Sequence, residues 1–310
     1  MDDLQEGRGK HYLVLTAAAA SWGVATVISK RAVAEIPPLA LLPIQLTTSL
    51  LFLGILMSIK GRQQWTREGV RLGLLGFLNP GLSYALGLIG LTHITASLSV
   101  VLWATEPIMI LALAAWLLRE AVTRSMALAI GVTSVGVLLA AGDANSTGTL
   151  LGVSFTLAGV AACAIYTVIT RKWMGDDSTL AVITAQQICA LIFALTVLGI
   201  LSSSGEPLGV SSWSAGAWAS AVVSGVLYYA LAFWLYLTGL RRIPAALAGL
   251  FLNLIPIFGV ATGYLIGERL SPRQWLGSVL IVVAVGALLW ARSRPTTLTA
   301  RVPSIIVDDR

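Results

Sequence analysis

Charge in this chain is confined to short clusters, and between them lie uncharged runs at 36–59, 72–105, 144–170, 178–205, 207–240 and 243–267. A helix crosses a bilayer with about 20 apolar residues, so several runs hold one crossing, and the stretch 72–118 must hold two, turning near His93. With 57% hydrophobic against 11% charged residues and a mean hydropathy of +0.86, a chain of 310 residues cannot clothe a soluble domain; its solvent is lipid. The pattern predicts an all-α integral membrane protein of ten helices, near 11–31, 39–59, 70–91, 96–118, 124–142, 149–171, 179–201, 214–239, 244–266 and 273–291.

The basic residues orient those helices. With the N-terminus inside, Arg8, Lys10, Lys60, Arg62, Arg67, Arg71, Arg119, Arg124, Arg171, Lys172, Arg241, Arg242 and the C-terminal arginines face the cytoplasm, leaving only Lys30, Arg31, Arg269 and Arg273 outside. The positive-inside rule therefore selects cytoplasmic termini. The net charge of +6 is explained by loops beside anionic lipid and calls for no nucleic-acid partner. Residues 1–10 carry both signs of charge, and no small-residue cleavage site follows, so the first helix reads as retained. Cys163 and Cys189 fall inside spans without metal-ligand spacing, and read as packing residues; no metal or cofactor is expected.

The chain also repeats itself. Gly90-Leu91-Thr92-His93-Ile94-Thr95-Ala96, then Pro107 and Leu117-Leu118-Arg119-Glu120, is echoed by Gly239-Leu240-Arg241-Arg242-Ile243-Pro244-Ala245, then Pro256 and Leu265-Ile266-Gly267-Glu268. Thr26-Val27-Ile28-Ser29-Lys30-Arg31 is echoed by Thr167-Val168-Ile169-Thr170-Arg171-Lys172. Five helices per copy is an odd number, so the second copy must enter from the opposite face: two inverted five-helix repeats around a central cavity. The division is a tail at 1–10, a first repeat at 11–142, an extracytoplasmic linker at 143–148, a second repeat at 149–291 and a cytoplasmic tail at 292–310. Duplicated, Pro-interrupted membrane bundles are expected of transporters that rock between inward-open and outward-open shapes.

The segments from Pro107 through Leu117-Leu118-Arg119-Glu120 to Gly131 and Gly136, and from Pro256 through Leu265-Ile266-Gly267-Glu268-Arg269-Leu270 to Gly277 and Gly286, resemble the paired signature of the drug/metabolite transporter superfamily, EamA type. Within it, the Trp-Ala-Thr-Glu-Pro run at 103–107 makes the chain look most like the bacterial aromatic amino-acid exporters. The resemblance implies ten helices, a multi-pass protein of the bacterial inner membrane, a central cavity lined by both halves, and secondary export of small metabolites, amino acids including aromatic ones first, nucleobases or cationic drugs as alternatives. Protons are a candidate coupling ion, and the assembly is a monomer or weak homodimer.

Candidate functional residues follow from rarity at membrane depth. Glu106 is the acidic residue placed deepest; it can bind a substrate ammonium, carry a proton, or hydrogen-bond backbone loosened by Pro107. Asn79 beside Pro80, and Asn253 one turn before Pro256, offer donors and acceptors to a zwitterion or to a neighbouring helix. Pro80, Pro107 and Pro256 remove backbone donors, and either shape packing or expose carbonyls to a ligand. Trp22, Tyr84, Trp103, Tyr166, Tyr229 and Phe233, with Tyr228 and Trp234, lie in helices that the resemblance places around the cavity. Glu120 and Glu268 sit at helix ends beside arginines and read as ion-pair partners or as orienting the next helix. A membrane enzyme is disfavoured: His11 and His93 lie near helix ends, and no H-E-x-x-H, G-x-S-x-G or G-x-x-x-x-G-K-[ST] pattern is present.

Overall fold

The structure, a computed structural model, describes residues 2–61, 66–117, 124–141, 147–173, 178–203, 212–240, 251–252 and 254–293. The elements are α1 (Asp2–Ala32), α2 (Pro38–Lys60), α3 (Arg67–Leu74), α4 (Ser83–His93), α5 (Ala96–Trp103), α6 (Glu106–Leu117), α7 (Arg124–Ala141), α8 (Thr147–Trp173), α9 (Thr179–Ser202), α10 (Ala215–Gly225), α11 (Ala232–Leu240), α12 (Leu254–Leu265) and α13 (Pro272–Ser293). Among the described residues, six apolar segments are long enough to cross a membrane: Lys10–Ala32, Pro38–Lys60, Gly69–His93, Leu150–Thr170, Thr179–Ser202 and Ala215–Gly239. Shorter apolar helices at Ala96–Ile110, Ala127–Gly136, Leu254–Leu265 and Pro272–Leu288 fill the remaining expected positions. The first helix begins earlier than the expected position 11, so the charged residues 2–9 continue it rather than form a separate tail.

Local chemistry sets the helix ends. The hydroxyls of Thr66, Thr95 and Ser214 accept from the amides of Gly69, Leu98 and Ala217 at 2.9, 3.1 and 3.1 Å, starting α3, α5 and α10. Pro38 stands at the first position of α2, where no amide donor is required. The third span joins α3 to α4 through a 3-10 turn (Leu75–Phe77) and a π-helical turn (Leu78–Leu82), inside which Asn79 leaves helical geometry at φ −146 and ψ 120. The eighth span joins α10 to α11 through a second π-helical turn, Val226–Leu231.

Packing runs mainly between the two halves of the chain. The first span, α1, lies against the eighth and ninth spans (α10, α11, α12), and the sixth, α8, lies against the third and fourth (α4, α6). The second packs on the seventh and eighth, the seventh on the second and third, the fourth on the ninth, and the fifth on the tenth. Exchanging each span for the one five places along leaves this pattern unchanged.

Glycines make the closest of these crossings. A Cβ on Gly76 would overlap the backbone carbonyl of Gln186, and one on Gly225 would stand 2.6 Å from the carbonyl oxygen of Gln45. Gly90 against Gly152 and Thr156, and Gly239 against Leu15, form a second such pair. Lipid offers no hydrophobic drive between helices, so association rests on this close fit and on polar contacts. Outward-facing side chains are apolar: Leu13, Ile55, Leu138, Leu150 and Ile200 are exposed, and Leu265 is 87% exposed.

Helix-end contacts fall into two sets. In the first, Glu35 accepts from the amide and hydroxyl of Ser214 at 2.7 and 2.8 Å; the backbone bond, then the hydroxyl, hold its carboxyl below the usual range. Lys30 Nζ donates to the Leu91 carbonyl at 2.7 Å, satisfying the end of α4. Glu268 accepts from the amides of Ala96 and Ser97, both at 2.9 Å, and from the Ser97 hydroxyl at 2.7 Å. Its carboxylate therefore caps the start of α5 across the bundle, rather than serving only an adjacent arginine. Glu120 lies outside the described residues. In the second set, Tyr12 stacks on Phe251 at 5.5 Å, Lys60 lies over Trp234 at 4.8 Å, and Arg71 lies over Trp173 at 5.5 Å.

The glycine crossings are directly testable. Gly225→Leu should cost about 1–3 kcal/mol, the scale of overpacking a filled interior, or block folding. It should lower the thermal-unfolding midpoint in detergent, whereas Gly131→Ala, where a Cβ meets nothing within 4 Å, should leave it unchanged. A Gly225→Leu midpoint equal to the parent's would refute the close approach.

Candidate functional site

The first π-helical turn buries Asn79, and the second carries Tyr228 and Tyr229. The extra residue in such a turn leaves the α-helical ladder out of step, so a backbone carbonyl must find another partner. Tyr229, in the second π turn, has its carbonyl met by Gln187 Nε2 at 2.8 Å, while Gln187 Oε1 accepts from Ser49 at 2.5 Å. Gln187 thus ties the second, seventh and eighth spans together beneath the aromatic cluster. Two further glutamines flank it. Gln45 donates to Ser29 at 3.0 Å and Ser224 at 2.7 Å, and Gln186 accepts from Tyr166 at 2.9 Å and donates to the Leu72 carbonyl at 3.3 Å.

Tyr84 is the hub of the cluster. Its ring lies 5.4 Å from Trp103, 5.2 Å from both Tyr228 and Tyr229, and 6.5 Å from Phe233. Phe233 in turn meets Trp22 edge-on at 5.2 Å, and Trp22 meets Tyr236 at 5.6 Å. These rings bring together the first, third, fourth and eighth spans. A cavity of about 20 Å³ remains among Thr26, Ser29, Tyr84, Ser99, Trp103 and Tyr228. That volume holds roughly one water, so the space among these residues is nearly filled by side chains.

The fourth span breaks at Ala104–Thr105, two residues before the position expected from Pro107. Thr105 caps both sides of the break: its amide donates to Leu102 at 3.0 Å and its carbonyl accepts from Ile108 and Met109 at 3.0 and 3.1 Å. Pro107 is then the second residue of α6, where a missing amide costs little. Glu106, the first, lies at the start of the new helix and accepts from Cys163 Sγ and from the Thr167 hydroxyl, both at 3.4 Å and both on Oε1. Protein surrounds it, yet it retains accessible surface, and Tyr84, Tyr166, Tyr228 and Tyr236 are within its electrostatic reach.

The remaining sequence candidates are placed less uniformly. Asn79 is buried in the first π turn, joined to Pro80 by a cis bond, with its Oδ1 lacking a hydrogen-bond partner. Pro256 is buried in the first turn of α12, and Asn253 lies outside the described residues. Tyr166 touches Gln186 rather than the ring cluster itself. Gln45 escaped sequence reasoning altogether, although its signal was present: an amide in an otherwise uncharged span, matching Gln186 at the 141-residue offset of the Thr26 and Thr167 echo.

A model of the EamA-like transporter family matches the chain twice, over residues 9–142 and 150–290. The uncharacterized transporter YetK of Bacillus subtilis (strain 168) is 26% identical over 306 residues, covering 93% of this chain and 89% of that one. YyaM, an uncharacterized transporter of the same organism, is 24% identical over 219 residues, 69% of each chain. An uncharacterized transporter of Archaeoglobus fulgidus is 23% identical over 279 residues, covering 89% of this chain and 97% of its own. A protein of known crystal structure shares the fold with a TM-score of 0.61 and 19% identity, over 91% of this chain and 98% of that one.

Gln187→Leu removes both contacts of that side chain and strands the Ser49 hydroxyl and the Tyr229 carbonyl. The expected cost is about 1–3 kcal/mol, the penalty of an unsatisfied buried polar group, read as a lowered unfolding midpoint in detergent. A variant as stable as the parent would show that Gln187 does not hold the second π turn.

Proposed function

Since the chain belongs to the EamA-like transporter family, we propose that it is a secondary transporter of small metabolites, working by alternating access between two inverted five-helix repeats. The family is one of transporters and not of enzymes, and the chain is a multi-pass membrane protein. Inversion is supported by the end contacts: α1 starts beside Phe251 in one set, whereas Gly152, near the start of α8, packs on His93 in the other. The first set also holds Lys30 and Arg269, the second Lys60, Arg67 and Arg71, and a cytoplasmic side at the second set satisfies the positive-inside rule with both termini inside.

One observation carries the substrate reading: rings from both repeats, centred on Tyr84, close over a small space, and the membrane-depth carboxylate of Glu106 lies within electrostatic reach of Tyr84 and Tyr228. Flat rings accept an apolar or aromatic side chain by stacking, and a few polar groups orient it. Amino acids, aromatic ones included, fit this chemistry as export cargo from a bacterial inner membrane, with cationic drugs or nucleobases the second choice. Trp22, Tyr84, Trp103, Glu106, Tyr229 and Phe233 line or close the site in this reading. Asn79 and Pro80 shape the break in the third span, Pro107 and Pro256 stand in the first turns of α6 and α12, and Tyr166 completes the lining through Gln186. The filled centre corresponds to a closed conformation, and cargo entry requires the rings to part. Saturable counterflow in reconstituted vesicles distinguishes such a carrier from a channel.

Trp103 packs on Gly87, where a Cβ would stand 3.1 Å from its ring, so its removal opens the cluster on the side of the third span. Trp103→Ala should slow vesicle uptake of an aromatic amino acid about tenfold more than uptake of alanine, a difference of about 1.4 kcal/mol. Equal losses would indicate a folding defect instead of a selectivity residue. Glu106→Gln should abolish any response of uptake to an imposed pH gradient, because no other acidic residue sits at this depth in the described spans. A retained response would assign proton coupling elsewhere.

A further inference from the structure

The two walls of the central site are chemically unequal, although the repeat makes them structural counterparts. At the offsets of the echoes, 149 residues for the fourth and ninth spans and 141 for the first and sixth, Glu106 corresponds to Ile255 and Cys163 to Trp22. Thr167 corresponds to Thr26, and Tyr84 to Phe233. The structure keeps these partnerships. Glu106 contacts Cys163 and Thr167 on one side, and Ile255 packs in one cluster with Trp22 and Phe233 on the other. One wall therefore presents a carboxylate and a thiol where its counterpart presents a branched alkyl group and an indole, with a threonine hydroxyl on each.

Glu106 is weakly held. Its two donors are a thiol and a hydroxyl at 3.4 Å, both on one carboxylate oxygen, and among the described residues no donor is placed on Oε2. A carboxylate at membrane depth is expensive without a counter-charge. The cation near the cavity's outer rim, Lys30, is already engaged by the carbonyls of Leu91 and Thr92. The wall thus holds a place for a positive charge, whereas a bound carboxylate would meet only the hydroxyls of Thr26, Ser29, Ser99 and Tyr228.

We propose that the site recognises its cargo by a protonated amine seated at Glu106 and by a flat or branched apolar body laid against Trp22, Phe233 and Ile255, with a cargo carboxylate tolerated but not required. The substrate class is then arylalkyl and alkyl amines, of which amino acids are one carboxylated subset. The inference rests on the transport reading for its physiological meaning, but not for its binding chemistry. Because the two walls are counterparts across the repeat but unlike in chemistry, the cargo keeps one orientation between them.

The test is equilibrium binding of three radiolabelled probes, 2-phenylethylamine, phenylalanine and 3-phenylpropionate, to the purified full chain in detergent. The amine should bind within about threefold of the amino acid, and the acid at least about tenfold more weakly. Glu106→Gln should weaken amine binding at least about tenfold and leave the acid unchanged. Should that variant not fold, the wild-type probe series decides alone. Acid binding equal to amine binding, an amine preference that survives Glu106→Gln, or no binding of any probe would overturn the proposal. Amine binding without flux in vesicles would instead reject the transport reading and leave this one standing.

Discussion

Backbone contact between helices at glycine is the constraint on which the rest of this bundle depends. Lipid tails are as apolar as leucine, so these spans gain little by burying apolar surface against one another; they hold together where the fit is close and where polar groups find partners. Gly76 on Gln186 and Gly225 on Gln45 let the third and seventh, and the eighth and second, spans approach to backbone distance. The glutamines at those crossings then use their side chains sideways, on Leu72 and Tyr166 in one case and on Ser29 and Ser224 in the other. Each crossing lies immediately before a π-helical turn, so close approach and helix irregularity occur at one level of the bundle.

That coincidence locates the site. A regular helix through residues 226–231 would keep its carbonyls in the ladder; the π turn instead offers the Tyr229 carbonyl to Gln187 and turns Tyr228 and Tyr229 toward Tyr84. The break at Ala104–Thr105 does related work on the facing span, starting a new helix whose first residue is Glu106. Irregular backbone at membrane depth is tolerated where protein or a cavity surrounds it, and here both breaks face the centre. The site is therefore built from the places where the helices depart from regularity, not from the regular spans.

The candidate site was partly legible in the residues. Aromatic side chains and a lone acidic group in otherwise uncharged spans marked Tyr84, Trp103 and Glu106; the structure packs Tyr84 on Trp103, with Glu106 within electrostatic reach of Tyr84. Proline marked that the third and fourth spans were interrupted, but not how: Pro107 begins a helix instead of bending one, because the turn at Thr105 precedes it. Glu268 shows the limit most clearly. Its place after Gly267 at a helix end was visible, yet its partner, the start of α5, is more than 170 positions away and nothing local names it. The partners of Gln45 and Gln187 were equally hidden, since an amide in an apolar span can satisfy any neighbour that packing supplies.

Composition and periodic interruption alone determined the solvent of this chain, the number and approximate ends of its helices, and the duplication that pairs Pro107 with Pro256. Those properties follow from transfer free energy and chain length, which are local quantities. Tertiary structure decided which spans touch, where the ladder of hydrogen bonds breaks, and which rings gather around Tyr84. These depend on which groups meet across the bundle, because in a medium that cannot hydrogen-bond, a buried polar group such as the Gln45 or Gln187 amide is satisfied only by what packing brings to it.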